Sequence, residues 1–294
     1  MVGTTGRRGV DRGNVAYRLM AGLAVLFIRS MRWKLTVVGL DNVPRTGGAV
    51  LTWNHTSHMD FILAAWGPRR LKRLPRFLAK RELWSSWFSR RVVTAVGAVP
   101  VDRTSGQGRA RSFEVAVEAL RDGAIVAIAP EGTISSSFEP LPFRAGAVRM
   151  AQAAGVPIIP CATWGGHRLV TYGHGFSPRR AWRIPVTVRY GEPIHVGADE
   201  DIHTATDRLR RVTVALVHEI QEHYPDGNPA GAWWVPARLG GGAPSPEPDP
   251  ATSIEDPGPP GDPPLGPLEP DPADGAADLA PGERSTTDRR DAIG

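Results

Sequence analysis

Polar residues follow one strand-like run of the chain in a spacing that suits proton transfer. The run 49–53 (Ala-Val-Leu-Thr-Trp) leads directly into His55, and Asp60 follows five residues after that histidine. On one continuous helix such positions lie about 140° apart, so the two side chains meet only if a turn separates them. Ser57 and Asp60 have capping-box spacing, which predicts a helix start there and leaves His55 before the helix. A carboxylate beside an imidazole then suits a general base.

Other interpretations of this segment remain open from the residues alone. Asp60 could be only a carboxylate that satisfies backbone donors at a helix N-terminus. His55 and His58 could be ordinary polar loop residues. The three side chains together could also bind a metal ion, as in a metal-dependent hydrolase, although no second His/Cys/Asp cluster completes such a site.

Three further polar segments follow or precede predicted elements. Arg103 closes the run 98–101, where it could bind an anion or form a surface ion pair. Glu131, Gly132 and Thr133 follow the apolar run 124–129. Glycine permits close backbone approach to a ligand and the carboxylate could hold a hydroxyl or a cation, but the segment could equally be a common turn. Arg144 precedes a predicted helix, whose free N–H groups favour an anion there.

The elements that must position these residues follow an alternating pattern. Apolar runs of four to eight residues alternate with helical segments of 10–20, which predicts an α/β fold with a mostly parallel sheet flanked by helices. In such sheets, ligands bind beyond the carboxyl ends of the strands. The run 156–160 is apolar, which is typical of a core strand, and its two prolines predict a position near a sheet edge or a loop. We expect three parts: an interfacial helical segment (1–34), an α/β domain (35–227) and a tail (228–294).

Charge and proline are unevenly distributed along the 294 residues. Net charge is +5, but residues 240–294 hold 12 acidic and 3 basic side chains and 13 of the 28 prolines. This composition predicts a disordered acidic tail. The rest of the chain is strongly basic, which suits nucleic acid, an anionic membrane or a phosphorylated substrate. Cys161 is the sole cysteine, so no disulfide forms within the chain, and its apolar surroundings predict a core residue.

The N-terminal apolar segment is too short to span a bilayer. Residues 15–28 are apolar except for Arg18, and a spanning helix needs about 20 such residues. Basic residues flank the segment on both sides, so it could lie in a membrane interface as an amphipathic helix. It could equally be an ordinary helix packed on the core.

The order of the polar segments carries more information than any one of them. N-H-x-S-x-x-D (54–60), G-x-x-P-V-D-R (97–103), P-E-G-T (130–133) and V-P-I-I-P (156–160) together resemble the four motif blocks of the glycerolipid acyltransferase family. Lysophosphatidic acid acyltransferases are its best-known members. The resemblance covers about residues 35–195, and F-R-x-G-A (143–147) is similar to the segment after the third block.

The resemblance implies a role for each matching residue. His55 would be the general base and Asp60 its partner, while Arg103 would bind the acceptor phosphate. Glu131, Gly132 and Thr133 would position the acceptor. The family often has Arg directly after E-G-T, whereas this chain has Ile134, so Arg144 or another arginine would supply that charge.

The expected activity is acyl transfer to a lysophospholipid hydroxyl without a metal or a bound cofactor. Acyl-CoA or acyl carrier protein would be the donor, and 1-acyl-sn-glycerol-3-phosphate the acceptor, giving phosphatidic acid. Another lysolipid or a glycolipid is an alternative acceptor. A non-catalytic protein that binds anionic lipid is the alternative from another class. We expect a peripheral enzyme on the cytoplasmic face of the cell membrane, binding an anionic membrane surface and no nucleic acid.

Overall fold

The computed structural model describes residues 15–80, 85–95, 98–101 and 106–246. Within these ranges the helices are α1 (Val15–Ser30), α2 (Asp60–Ala64), α3 (Trp66–Arg70), α4 (Trp87–Ala95), α5 (Gly106–Arg121), α6 (Gly146–Ala154) and α7 (Ile202–Glu222). The strands are β1 (Lys34–Val38), β2 (Ala49–Trp53), β3 (Arg76–Lys80), β4 (Val99–Val101), β5 (Ile125–Ile128), β6 (Ile158–Trp164) and β7 (Pro185–Tyr190). The predicted alternation of strands and helices is confirmed.

The strands of the described chain form one seven-stranded sheet in the order β1-β7-β6-β2-β5-β3-β4. All neighbouring strands pair in parallel except β6 and β7, which are antiparallel. The mostly parallel sheet expected from the sequence is therefore present. Because β6, β2 and β5 run in the same direction, their carboxyl ends meet at one edge of the sheet.

Both faces of the sheet are covered, so its central strands are buried on two sides. Leu51 and Trp53 of β2 pack into a cluster with Leu63 of α2 and Ile28 of α1. Val50, the residue before Leu51, packs on the opposite face with residues of α5, α6 and α7. Double coverage explains why these strands are almost continuously apolar rather than alternating.

The α1 helix has one packed face and one exposed apolar face. Ile28 is buried in the core, and the Tyr17 hydroxyl donates a hydrogen bond to the carbonyl of Pro75 at 2.9 Å. The exposed face carries four large apolar side chains, Val15, Leu19, Leu23 and Leu26. The packed face agrees with the interpretation of this segment as a helix that docks on the core. Among the described helices, none has the length and apolar character needed to cross a membrane.

Ordered structure continues beyond residue 227, where the sequence predicted the domain to end. Val235 is fully buried, and Ala243 belongs to an apolar cluster with Val217 and Ile220 of α7. Trp233 and Trp234 pack against the same cluster. These apolar side chains supply the contacts that anchor residues 228–246, whereas residues 247–294 lie outside the described part of the chain.

The segment 156–160 leads into a core strand, as its apolar residues predicted, but this strand does not lie at a sheet edge. The β6 strand that begins at Ile158 lies between β7 and β2, and every residue of it is buried. The first β6–β7 pair joins Cys161 with Tyr190, so Pro160 precedes that ladder. Its missing N–H therefore removes no ladder hydrogen bond on that side, which makes a proline compatible with an interior strand.

Candidate active site

Three neighbouring parallel strands bring the candidate site residues to one sheet edge. His55 follows the carboxyl end of β2, Glu131 follows that of β5, and Thr163 is the penultimate residue of β6. Since β2 lies between β6 and β5, both flanking strands contribute groups around the segment that carries His55. The site lies where ligands bind in parallel α/β sheets.

His55 and Asp60 are in contact, as the turn between β2 and α2 was predicted to allow. His55 Nδ1 lies 3.3 Å from Asp60 Oδ2. The side chain of His55 is 22 % exposed and that of Asp60 is 1 % exposed, so the imidazole is accessible and its carboxylate partner is not. Because the ionised carboxylate only accepts hydrogen bonds, we assign the Nδ1–H tautomer to neutral His55, leaving Nε2 as the basic nitrogen.

Asp60 begins α2 and closes the preceding turn. Its Oδ2 accepts hydrogen bonds from the backbone N–H groups of Thr56 at 2.7 Å and Ser57 at 2.6 Å. The second half of the expected capping box is absent: the Ser57 hydroxyl accepts from Met59 N–H instead of Asp60 N–H. Asp60 therefore bonds the backbone of the turn that precedes α2 and also contacts His55.

Glu131 is buried and bonded to two segments of backbone. Its Oε1 accepts from His55 N–H at 2.7 Å, and its Oε2 accepts from Leu141 N–H at 3.0 Å. Burial raises the pKa of Glu131 to about 8, although the two N–H donors act in the opposite direction. Its carboxyl group thus holds the chain around His55, which is a different contact from the direct positioning of an acceptor that the resemblance implied.

Gly132, Thr133 and Arg144 form the adjacent part of the site. Gly132 has φ of +73°, a left-handed conformation that glycine adopts without a Cβ penalty. A Cβ placed there would lie 3.2 Å from Nε of Arg144, so the arginine side chain runs over this glycine. Thr133 and Arg144 are both exposed. The exposed guanidinium precedes the N-terminus of α6, as the sequence predicted.

Arg103, the remaining residue that the sequence assigned to the site, lies outside the described residues. His58 is exposed, whereas Asp60 is buried with its oxygens occupied by hydrogen bonds. No group of three or more His, Cys, Asp or Glu suited to a metal ion occurs within the described ranges. Cys161 is buried, and burial raises the pKa of its thiol well above the ordinary value.

Sequence reasoning missed several residues that surround the pair. The hydroxyl of Thr163 donates to Asp60 Oδ1 at 3.0 Å, and the amide of Asn54 bonds to the backbone of Thr163. Ser135 N–H donates to the carbonyl of His55 at 2.8 Å. The signal for Thr163 was a single hydroxyl near the end of the apolar run 158–164, which is the end that faces the site.

The sequence of this chain is similar to those of known acyltransferases. The family model described as Acyltransferase matches residues 34–164. A 1-acyl-sn-glycerol-3-phosphate acyltransferase of Bacillus subtilis is 29 % identical over 201 residues, covering 68 % of this chain and 92 % of the relative. A probable enzyme of the same name from Mycoplasma pneumoniae is 28 % identical over 184 residues, covering 62 % of this chain and 66 % of the relative.

A solved structure has the same fold. The crystal structure of the 1-acyl-sn-glycerophosphate acyltransferase PlsC of Thermotoga maritima superposes with a TM-score of 0.56 at 21 % identity, covering 69 % of this chain and 79 % of that chain. The family model and the bacterial relatives indicate the class of protein, an O-acyltransferase. Over residues 34–164 the chain is similar to the Acyltransferase family.

Proposed function

We propose that this enzyme transfers a fatty acyl group from a thioester donor to the free hydroxyl of 1-acyl-sn-glycerol-3-phosphate, giving phosphatidic acid. Acyl-CoA or acyl carrier protein is the donor. The observation that carries the proposal is the contact between the accessible His55 and the buried Asp60 at the carboxyl edge of the sheet. The names of the bacterial relatives support the choice of acceptor.

His55 acts as the general base in the proposed reaction. Nε2 removes the proton of the acceptor hydroxyl as the oxygen attacks the thioester carbonyl carbon. A C–O bond forms, the C–S bond breaks, and the proton held by His55 passes to the leaving thiolate. Asp60, ionised and bonded at Nδ1, stabilises the imidazolium that exists between these two proton transfers.

The exposed guanidinium of Arg144 is the proposed contact for the acceptor phosphate. It runs over Gly132, and Arg144 itself precedes α6 by two residues, near the helix N-terminus where backbone N–H groups favour an anion. Arg103 is proposed as a second phosphate contact on the basis of the family motif. Thr133 is exposed and directly follows Gly132 in sequence, and we propose that it contacts the acceptor as well.

The exposed apolar face of α1 is proposed to rest on an anionic membrane surface. Leu19, Leu23 and Leu26 lie on this face, and Arg29 occupies the last turn of the helix, where it can reach phosphate headgroups. Trp87 of α4 is 72 % exposed and carries the guanidinium of Arg91 over its ring at 5.2 Å. We propose peripheral binding on the cytoplasmic face, where soluble acyl donors are available.

A pair of histidine variants tests the proposed reaction. His55→Ala should lower kcat about 10²–10⁴-fold because the general base is lost. His58→Ala is the matched control, since His58 is exposed three residues away and should retain kcat within about twofold. Transfer is measured with a radiolabelled acyl thioester across a panel of lysolipid acceptors, with products identified by mass. A folded His55→Ala protein with undiminished transfer would exclude the mechanism.

A further inference from the structure

A buried network joins Asp60 to the neighbouring strand β6. The Thr163 hydroxyl donates a hydrogen bond to Asp60 Oδ1 at 3.0 Å, across 103 residues of sequence. Both side chains are at most 1 % exposed, so water does not replace this bond. A hydrogen bond to a charged acceptor is about twice as strong as one between neutral groups, and more costly to lose when buried.

Thr163 is itself held in place by Asn54, the residue before His55. Asn54 Oδ1 accepts from Thr163 N–H at 2.7 Å, and Asn54 Nδ2 donates to the Thr163 carbonyl at 3.1 Å. The β2–β6 ladder ends at the pair Trp53–Cys161. The Asn54 side-chain amide therefore bonds to β6 just beyond the last backbone pair of this ladder. These two bonds fix the backbone of Thr163, from which the hydroxyl projects.

The two carboxylate oxygens of Asp60 have different partners. Oδ2 receives the two backbone N–H groups of its own turn and faces His55 Nδ1, whereas Oδ1 receives the Thr163 hydroxyl. The turn alone holds one oxygen, and rotation about the side-chain torsion of Asp60 moves the plane of the carboxylate. The bond from β6 fixes that plane relative to the sheet, and so fixes the direction in which Oδ2 meets the imidazole.

We propose that Thr163 is a positioning residue of the reaction, acting through Asp60 to hold the His55 imidazole in the Nδ1–H tautomer. Thr163 lies beyond the motif segment 156–160 and does not contact the acceptor in this scheme. The inference rests on the proposed function only for its kinetic consequence. The tautomer of His55 is a property of the resting protein and is measured without turnover.

Thr52 supplies a matched control on the adjacent strand. Its side chain is fully buried, like that of Thr163, and within the described residues its hydroxyl has no hydrogen-bond partner. Thr52→Val and Thr163→Val therefore make the same chemical change in equally buried strand positions. Only the second change removes a bond to Asp60.

Steady-state kinetics on the full chain test the proposal. Thr163→Val should lower kcat about tenfold or more while KM for the lysophospholipid stays within about twofold, because orientation of the base changes and acceptor contacts do not. Thr163→Ser should restore most of the lost kcat, and Thr52→Val should keep it within about twofold. Thermal unfolding verifies that each variant is folded. Equal kcat in Thr163→Val and the wild type, or an equal loss in Thr52→Val, overturns the proposal.

Nitrogen NMR of the histidine rings separates this inference from the proposed activity. At pH 8 the wild-type His55 should hold its proton on Nδ1, and Thr163→Val should increase the Nε2–H population severalfold, with Thr163→Ser and Thr52→Val near the wild type. An unchanged tautomer in Thr163→Val refutes the positioning role even if the wild type transfers no acyl group. A wild type without transfer, but with the expected tautomer shift, refutes the proposed function alone.

Discussion

Glu131→Gln should change how the stability of this enzyme depends on pH. Glu131 is 4 % exposed, and burial raises the pKa of its carboxyl group from the ordinary 4.5 to about 8. Between these two values the folded chain keeps the proton and the unfolded chain releases it. The free energy of unfolding therefore falls as pH rises through this window.

The size of the effect follows from the width of the window. Each pH unit inside it changes the free energy of unfolding by about 1.4 kcal/mol, so Glu131 contributes a loss of about 5 kcal/mol between pH 4.5 and 8. Glutamine does not titrate, so the variant lacks this loss. Its amide can accept only one of the two N–H groups that bond Glu131, which costs about 1–3 kcal/mol at every pH.

The two effects predict a crossover between the proteins. At pH 5 the wild type should be more stable than Glu131→Gln, and at pH 8.5 the variant should be equally stable or more stable. Burial of His167 lowers the pKa of its ring to about 3, so that residue makes stability rise with pH up to about 6.5. His167 is present in both proteins, and the difference between them isolates Glu131.

Urea unfolding followed by tryptophan fluorescence measures both free energies at half-unit steps from pH 5 to pH 8.5. The informative quantity is the difference between the two proteins at each pH. If this difference is the same at pH 5 and 8.5, the backbone donors from His55 and Leu141 hold Glu131 ionised throughout, and the reasoning from burial is refuted.

Two further predictions concern acceptor and membrane binding. Arg144→Ala should raise KM for 1-acyl-sn-glycerol-3-phosphate about tenfold or more with little change in kcat, because one charged contact to the phosphate is lost. Arg149→Ala, in the exposed part of α6, is the control, and equal KM values in both variants would remove the role of Arg144. Leu23→Glu should weaken binding to vesicles containing phosphatidylglycerol about tenfold, since an apolar contact is replaced by a charge of the headgroup's sign. Val115→Glu changes an exposed apolar residue of α5 and should bind as the wild type does; equal weakening in both variants would contradict a docking role for α1.

The fold class and the central pair could be predicted because their signals are local. The hydrophobic periodicities that predict strands and helices involve only residues close together in sequence. The turn between His55 and Asp60 follows in the same way from the spacing of Ser57 and Asp60. The helix does begin at Asp60, although only half of the capping box forms. Local patterns of this kind also predicted that His55 and Glu131 would follow the carboxyl ends of their strands, where ligands bind in parallel sheets.

The position of a strand in the sheet could not be predicted in the same way. Prolines in 156–160 favoured a position near a sheet edge or a loop, yet Pro160 lies in an interior strand, and the β7 ladder begins one residue later. The predicted end of the domain at residue 227 failed for a related reason. Composition after this point is rich in glycine and proline, but Trp233 and Trp234 pack against a cluster that includes Val217 and Ile220 of α7, which no local pattern reveals.

Contacts between distant parts of the chain explain what the sequence left unassigned in the site. Thr163 and Asp60 are 103 residues apart, and Glu131 and His55 are 76 apart. Each bond exists because β2 lies between β6 and β5, and sheet order is a property of the whole chain. A single sequence places the residues at strand ends but does not say which strand ends are neighbours.

Hydrogen bonds hold the main chain of His55 and its ring nitrogen Nδ1, whereas the proposed chemistry uses the other ring nitrogen, Nε2. Its backbone N–H donates to Glu131 and its carbonyl accepts from Ser135, so the segment after β5 pairs both polar groups of its main chain. Its Nδ1 faces Asp60, which the turn and Thr163 of β6 hold from the other direction. Restraint from both neighbouring strands leaves Nε2 as the basic nitrogen of an accessible ring. In the proposed reaction, such an arrangement would limit reorientation of the imidazole, which is the contribution that a preorganised site makes to lowering a barrier.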